Sequence, residues 1–278
     1  MFSIIIPTWN NFSFVKLCVE SIQKNSTMQH QIILHINDGS DGTLEWAKEQ
    51  NILFSHTPDN AGICVAVNMA AGMATGNYIV YINDDMYCCP DWDKYLIDEI
   101  NALPDDNFML SSTMIEFNDT NNEAKIIRDF GTTVENFDEA GLLKALPNLH
   151  KADWSGATWP PCVISKNKWN IIGGFSIEFS PGMASDDDFS MKIWKSGCRY
   201  FKGVGKSLVY HFQSKSTQRI VRNNGRKQFL LKWECSASTF NKYYIKKGKP
   251  FEGALSEPSA SVLKKDRLKV WYKKKFVY

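Results

Sequence analysis

The sequence predicts an α/β domain built on an open, mostly parallel sheet flanked by helices. Three observations predict it: short apolar runs that are continuous rather than alternating, amphipathic helical stripes between them, and polar, acid-rich residues where each run ends. Continuous β-branched runs mark strands buried on both faces, as in parallel sheets, whereas strands wet on one face alternate. In such sheets ligands sit at the carboxyl ends of the strands, so the run exits are where chemistry is expected.

The first four runs are Ile4-Ile5-Ile6, Ile32 to Ile36, Ile52 to Phe54 and Tyr78 to Ile82. Between the first two, Val15, Cys18, Val19 and Ile22 recur at helical spacing, with Asn10-Asn11 before them and Lys24-Asn25-Ser26 after. Gly42-Thr43 opens a second helix to about Glu49 and Gly62 a third to about Thr75. Pro90-Asp91 opens a fourth, carrying Trp92, Tyr95, Leu96, Ile100 and Leu103 on one side. A strand is expected from Phe108 to Phe117, while the polar stretch to residue 150 has no legible period. Further on, a short helix is expected over 186–197, a strand over Leu208 to Phe212, and a helix over Arg226 to Lys246.

Composition narrows the function classes. The 278 residues are 44% hydrophobic and 22% charged, as in ordinary globular proteins, and no apolar run approaches the roughly 18–20 residues of a membrane-spanning helix. Seven cysteines, an odd number without a C-x-x-C pair, fit neither a disulfide framework nor a zinc ribbon and read as reduced core thiols. Met1-Phe2-Ser3 passes at once into the first strand without a leader pattern, so a cytoplasmic location is expected. Residues 1–201 hold 13 Lys and Arg against 26 Asp and Glu, whereas residues 202–278 hold 19 against 4. That asymmetry divides the chain into an acidic domain over 1–215 and a basic, mostly helical extension over 216–278 that faces something anionic.

The strand exits carry the candidate chemistry. They read Pro7-Thr8-Trp9-Asn10, Asn37-Asp38-Gly39-Ser40-Asp41-Gly42-Thr43 and Asn83-Asp84-Asp85-Met86. Neither a G-x-G-x-x-G after the first strand nor a G-x-x-x-x-G-K-[ST] is present, so any nucleotide is held by another device. Adjacent carboxylates such as Asp84-Asp85 suit a hard divalent cation that keeps open positions for substrate phosphates; a solvated turn is the plain alternative.

In order, these exits together with Asn60-Ala61-Gly62, Asn68 and Gly76-Asn77-Tyr78 through Asp85 resemble the inverting family-2 glycosyltransferases of the GT-A fold, over roughly residues 2–212. Gly173-Gly174-Phe175 is similar to that family's acceptor-side element, Asp186-Asp187-Asp188-Phe189 to its acidic motif opening a helix, and Tyr210-His211 to its closing histidine. The resemblance implies transfer of a sugar, with inversion, from a nucleotide-diphosphate donor to a saccharide or lipid-linked saccharide in surface polysaccharide synthesis. It implies that Pro7, Thr8, Asn10, Asp38, Asn60, Gly62, Asn68 and Asp84 bind the donor nucleotide. Asp38 would accept the N3 proton of a uracil or thymine, which makes a UDP-sugar the expected donor and a dTDP-sugar the alternative. Asp85 and His211 are implied as ligands of Mn²⁺ or Mg²⁺, and Asp186 as the base, with Asp187 the alternative.

Two departures bear on this assignment: Ser185 stands where the family usually has a glutamate, and Asn83 where it has a third acid. Helix capping is the plain reading of the three aspartates. Trp154, Trp159 and Gly174 are candidates for stacking on and lining an acceptor, with core packing the alternative for the tryptophans.

The basic tail is expected to touch anionic membrane peripherally, through Trp271 or Phe276, and no nucleic-acid partner is expected. A homodimer through 220–278 is left open. Two other classes stay in view: a membrane- or nucleic-acid-binding module acting through the tail, and a metal-dependent sugar-phosphate nucleotidyltransferase. The latter lacks the basic, Gly-rich loop expected after strand one, where Trp9-Asn10-Asn11-Phe12-Ser13 stands.

Overall fold

The computed structural model describes residues 1–119, 122–214 and 222–276. In the first half, strands β1 (Phe2–Trp9), β2 (Gln31–Asn37), β3 (Leu53–Thr57) and β4 (Tyr78–Tyr81) alternate with helices α1 (Phe12–Asn25), α2 (Thr43–Glu49) and α3 (Ile63–Ala71). All four strands and all three helices fall on the expected segments. Strand β5 (Met86–Cys88) and helix α4 (Trp92–Ala102) follow, then β6 (Phe108–Glu116), β7 (Ile126–Ile127), helix α5 (Glu139–Ala145) and β8 (Trp154–Ser155). The second half contains β9 (Cys162–Ser165), α6 (Lys166–Ile172), α7 (Ser185–Lys195), β10 (Tyr200–His211), α8 (Gly225–Trp233), the single turn α9 (Ala237–Thr239) and α10 (Ala260–Phe276).

One sheet runs β3-β2-β1-β4-β9-β6-β10-β5, with β7 beside β6 and β8 beside β10. β1, β2, β3 and β4 pair in parallel. β9 is antiparallel to both β4 and β6, and β10 is parallel to β6. Two reversals cancel, so β6 and β10 point the same way as β1 to β4. Their carboxyl ends therefore open on one edge, which is how His211, more than 120 residues from Asp85, comes to face it.

The core lies on both faces of the sheet. One layer packs Ile4, Ile6, Leu34 and Val80 against Val15, Val19 and Ile22 of α1 and Trp92 and Leu96 of α4. The other packs Ile5, Ile79 and Ile164 against Val67 of α3 and Phe189 and Trp194 of α7. That second layer also contains Phe229, Phe240, Ile245 and Leu255, so the basic segment after 222 shares a core with the acidic domain. The boundary drawn at 215/216 lies outside the described residues.

Three features differ from the sequence expectation. The helix expected over Arg226 to Lys246 stops at Trp233, where Glu234 adopts φ 51° and Ser236 caps a new turn through the Thr239 amide, followed by a π-helical turn over Phe240–Tyr244. A periodicity in apolar residues survives this break, because both pieces face the same core. The last strand starts at Tyr200, eight residues before its apolar run, and the unassigned polar stretch folds as a small lobe. There Phe130, Phe137 and Leu142 pack on Tyr87, Tyr210 and Phe212, and the Tyr210 hydroxyl donates to the Gly131 carbonyl at 2.6 Å. All seven cysteines are free and buried. Among the described residues no helix is long and apolar enough to cross a membrane.

Candidate active site

The carboxyl edge of the sheet forms one wall of a cleft of about 470 Å³, and the loop from Pro181 into α7 forms the other. Pro7, Thr8 and Trp9 from β1, Asn37 from β2, Asn60 and Gly62 before α3, and Asn83, Asp84 and Asp85 after β4 line it. Asp186 and His211 complete the set of expected residues that reach it, joined by Tyr81, Ser185, Gln213 and Ser214. Gly62 is required where it stands: its φ is 80°, and a Cβ there would come within 3.1 Å of the Pro181 backbone across the cleft floor. Thr8 is buried, and its Oγ1 has no hydrogen-bond partner among the described residues. A buried hydroxyl of that kind costs on the order of 1–3 kcal/mol unless something bonds to it.

Asp38 and Asn10 stand beside the cleft, where they tie the first two strand exits together. The Asn10 amide donates to Asp38 Oδ2 at 2.7 Å, and its own oxygen accepts from the Gly39 amide at 3.0 Å. Hydrogen bonds from Ser40 and Asn10 hold the Asp38 carboxyl below the usual carboxylate range. Asn37, which sequence reasoning passed over, has its oxygen accept from the Ala61 amide at 2.8 Å and so positions the Asn60–Gly62 turn.

Asp85 and His211 meet at the centre. Asp85 Oδ2 accepts from the Ser214 amide at 2.7 Å, and Oδ1 lies 3.4 Å from His211 Nε2. The other ring nitrogen, Nδ1, is 2.7 Å from Glu116 Oε1. Glu116 is 1% exposed and is held in turn by Lys125 and by the Gln213 amide at 2.7 Å. Burial pulls the imidazole toward neutrality, but the two carboxylates outweigh it and raise His211 to about 9. Burial likewise pushes Asp85 and Glu116 up, and the His211 charge brings Asp85, and hydrogen bonds from His211 and Lys125 bring Glu116, to a net position below the usual range.

The donor set fits a divalent cation. A carboxylate and an imidazole converge, and a second carboxylate fixes the ring from behind, the arrangement found beneath metal-bound histidines. Among the described residues no group of three His, Cys, Asp or Glu side chains offers itself as a ligand set. Asp85 and His211 are thus the two side chains that could hold such an ion, and substrate oxygens or water would have to supply the rest. Glu116 was not anticipated, although it ends an otherwise apolar and hydroxylic strand at the same edge as the other exits, and that position was the available signal.

The three aspartates of α7 are sorted by their surroundings. Only Asp186 lines the cleft. Asp187 Oδ1 accepts from the Asn241 amide at 2.8 Å. Asp188 is fully buried and accepts from Trp233 Nε1 at 2.8 Å, with Lys232 at 2.9 Å. Burial, and then the charge of Asp187, raise Asp186 to about 7, with the Lys247 charge opposing them.

Other expected residues take structural roles. Asn68 is engaged with the Phe175 backbone in both directions at 2.8 Å, which locks α3 to the Gly-Gly-Phe turn. Gly174 sits under Asn68 and Trp169 in that latch. Trp154 is buried, its indole nitrogen donating to Thr113 at 2.9 Å, so the packing alternative describes it. Trp159 is half-buried outside the cleft lining, with the Lys247 ammonium 3.0 Å from its ring centroid.

The family model described as Glycosyl transferase family 2 matches residues 3–153. The chain is 22% identical over 239 residues to the chondroitin synthase of Escherichia coli, covering 75% of this chain and 34% of that protein. It is 34% identical over 97 residues to the hyaluronan synthase of Pasteurella multocida, covering 32% of this chain and 10% of that one. The chain thus spans about a third or less of the length of these relatives. Among solved structures, S. aureus TarS 1–349 in complex with UDP-GlcNAc superposes with a TM-score of 0.61 at 14% identity, covering 83% of this chain and 64% of that one. At that identity the likeness speaks for the fold, a GT-A type nucleotide-sugar transferase fold.

Proposed function

Because the chain belongs to glycosyl transferase family 2, we propose that it transfers a sugar, with inversion, from a nucleotide-diphosphate donor to a saccharide or lipid-linked saccharide during surface polysaccharide synthesis. The observation that carries the reading is the convergence on one cleft of a base-like carboxylate, Asp186, with the Asp84-Asp85 exit and His211. A UDP-sugar is the donor we favour, with a dTDP-sugar second. The pyrimidine would lie against Pro7 and Thr8, whose orphan hydroxyl gains a partner there, with Asp38 accepting the N3 proton and Asp84 the ribose hydroxyl protons.

The chemistry asked of the chain is a single displacement. Asp186 takes the proton of the acceptor hydroxyl, the hydroxyl oxygen forms the new bond to the anomeric carbon, and the bond to the diphosphate oxygen breaks with its electron pair on the departing nucleotide. Attack from the side opposite the leaving group inverts that carbon. Asp85 and His211 would hold Mn²⁺ or Mg²⁺, whose charge offsets that building on the diphosphate. Thermal unfolding with UDP, dTDP, GDP and CDP, each with and without Mn²⁺, tests the donor side. Stabilisation of about 2.7 kcal/mol is expected for UDP with Mn²⁺ at a hundred times its dissociation constant. No shift with any nucleotide in a folded sample sinks the reading and favours a binding module.

The tail reading acquires a surface in α10. Leu263 and Val270 are buried on its inner face, and Lys274 pairs with Glu234 at 2.8 Å. Leu268, Trp271, Tyr272 and Phe276 are exposed, and Lys264, Lys265, Lys269, Lys273 and Lys275 flank them. An anionic lipid surface is the partner this pattern fits, at about 1 kcal/mol for each Lys or Arg near the headgroups. Sedimentation with vesicles containing phosphatidylglycerol should pull the protein down at low salt, and vesicles of phosphatidylcholine alone should not. The pair Trp271→Ser and Phe276→Ser should reduce the bound fraction severalfold; equal binding by the double variant removes α10 from the reading.

A further inference from the structure

Helix α8 lies along the segment that carries the base and holds it on both sides of Asp186. At its start, the Met183 amide donates to Asn223 Oδ1 at 3.1 Å, and Asn223 Nδ2 donates to the Phe179 carbonyl at 3.1 Å and to Gln228 Oε1 at 2.6 Å. Gln228 in turn donates to the Glu178 carbonyl at 2.7 Å. The approach is so close that a Cβ on Gly225 would run into the Met183 carbonyl oxygen, so only glycine fits there. At its end, Trp233 Nε1 donates to Asp188 Oδ1 at 2.8 Å, and the Lys232 ammonium stands 2.9 Å from the same oxygen. The chain is therefore fastened at Met183, before the base, and at Asp188, after it, by side chains from the two ends of one helix.

What lies between needs holding. Pro181, Gly182, Met183, Ser185 and Asp186 form the cleft wall, and Ala184 among them adopts φ 64°, a left-handed conformation that a residue with a Cβ keeps only where its surroundings fix it. The wall's other ties run to α3, where the Ile63 amide donates to the Pro181 carbonyl at 3.1 Å, and within the loop, where the Ser185 amide donates to the Gly182 carbonyl at 3.2 Å. Asn223 does what neither of these does: one carboxamide spans the 179–183 loop, donating to its first residue and accepting from its last.

We propose that Asn223 is a positioning residue for the base: its carboxamide closes the 179–183 loop from the start of α8 and so fixes where Asp186 stands across the cleft from Asp85 and His211. The inference rests on the glycosyl-transfer reading for what Asp186 does, but not for what Asn223 does to the loop that carries it. The residues expected to hold the nucleotide and the cation, Pro7, Thr8, Asp84, Asp85 and His211, come from the strand exits on the opposite wall. Loosening Asn223 therefore reaches the base without reaching them, and the basic segment after residue 222 takes a share in the active site.

The test compares wild type, Asn223→Ala and Asn223→Asp as full chains. Amide hydrogen exchange reads the loop, calorimetry reads UDP affinity in Mn²⁺, and UDP release from UDP-GlcNAc reads the reaction. Asn223→Ala should speed exchange over residues 183–186 by about tenfold or more, the worth of a lost hydrogen bond, while β1 and β4 keep their protection. UDP affinity and the KM for UDP-GlcNAc should stay within about twofold, and kcat should fall by about 10- to 100-fold, the scale of a misplacement near 1 Å. Asn223→Asp keeps an oxygen that accepts from Met183, so it should retain the protection at Met183 and most of kcat. Unchanged exchange in Asn223→Ala overturns the proposal, as do a fall in UDP affinity equal to the fall in kcat, an Asp variant no better than the Ala variant, or failure of both variants to fold. If no protein releases UDP, the transfer reading fails, while exchange at Met183 still decides for or against Asn223.

Discussion

Asp186→Asn is expected to lower the rate of sugar transfer by about 10²–10⁴-fold, the usual worth of a positioned general base, while nucleotide-dependent thermal stabilisation stays within a few-fold of wild type. The amide keeps the size of the carboxyl and the helix start but cannot accept the acceptor's proton. In the wild type, activity should rise as pH increases through about 7, because Asp186 must lose its proton to act and its proton affinity is raised to that range. Stability should run the other way. A carboxyl whose folded pKa lies above its unfolded one contributes stability that is fully present below the unfolded value and is lost as pH rises through the folded value. Asp186→Asn removes that loss, so the variant should unfold a few degrees above wild type at pH 8 and no higher at pH 4, at about 2–4 °C per kcal/mol. A variant both inactive and less stable at pH 8 would make Asp186 a structural residue. Asp187→Asn separates the two candidate bases: removing the charge that repels Asp186 should move the acid limb of activity downward and leave turnover above it within a few-fold, whereas a loss of 10²-fold or more would transfer the role to Asp187.

Much of this arrangement was legible because the informative residues are local to strands. A continuous apolar run states that a strand is buried on both faces, and the polar residue ending it states where the chain leaves the sheet. Those two facts place Thr8, Asn37, Asp84, Asp85 and His211 at one edge once the strands are parallel. What the sequence withheld is non-local. Asn68 looked like a ligand-binding residue, yet its partner is the Phe175 backbone 107 residues away, a pairing no periodicity encodes. Trp154 carries the same aromatic face as Trp159, but the hydroxyl of Thr113 and the absence of a side chain at Gly203 turn it into the core. The segment around Gly248 pairs with β8 through backbone hydrogen bonds alone, and no apolar alternation announces that pairing. Charge asymmetry suggested a separate basic extension, whereas Phe229, Phe240 and Ile245 show its first part sharing the core of the acidic domain. Lysine and arginine record what faces solvent, and the division between domains is written in the apolar residues between them.

Asp85→Ala should abolish the part of UDP stabilisation that depends on Mn²⁺, taking a shift of about 2.7 kcal/mol at a hundred times the dissociation constant to near zero. Asp85 is placed for this by its backbone as much as by its charge: its own carbonyl accepts from the Phe212 amide at 3.0 Å, and Oδ2 takes the Ser214 amide, so the exits of β4 and β10 are laced together around it. The same lacing means that alanine also leaves the Ser214 amide without its acceptor and the His211 charge with one carboxylate fewer. A modest fall in Tm without ligand is therefore expected, and the ligand-dependent shift must be read against each variant's own baseline. Glu116→Gln offers the graded control, since Glu116 touches the ring of His211 and the Lys125 ammonium but would not itself be a ligand of the metal ion. Loss of such a supporting carboxylate typically costs about 10–100-fold in metal affinity, so its UDP stabilisation should return at higher Mn²⁺ while that of Asp85→Ala should not. If Asp85→Ala keeps the full Mn²⁺-dependent shift, the cation is held elsewhere and the pairing of Asp85 with His211 is an ion pair that closes the β4 and β10 exits. If instead UDP stabilises wild type equally with and without Mn²⁺, the cleft binds nucleotide through its protein groups alone, and charge on the departing diphosphate must be met by His211 in its protonated form.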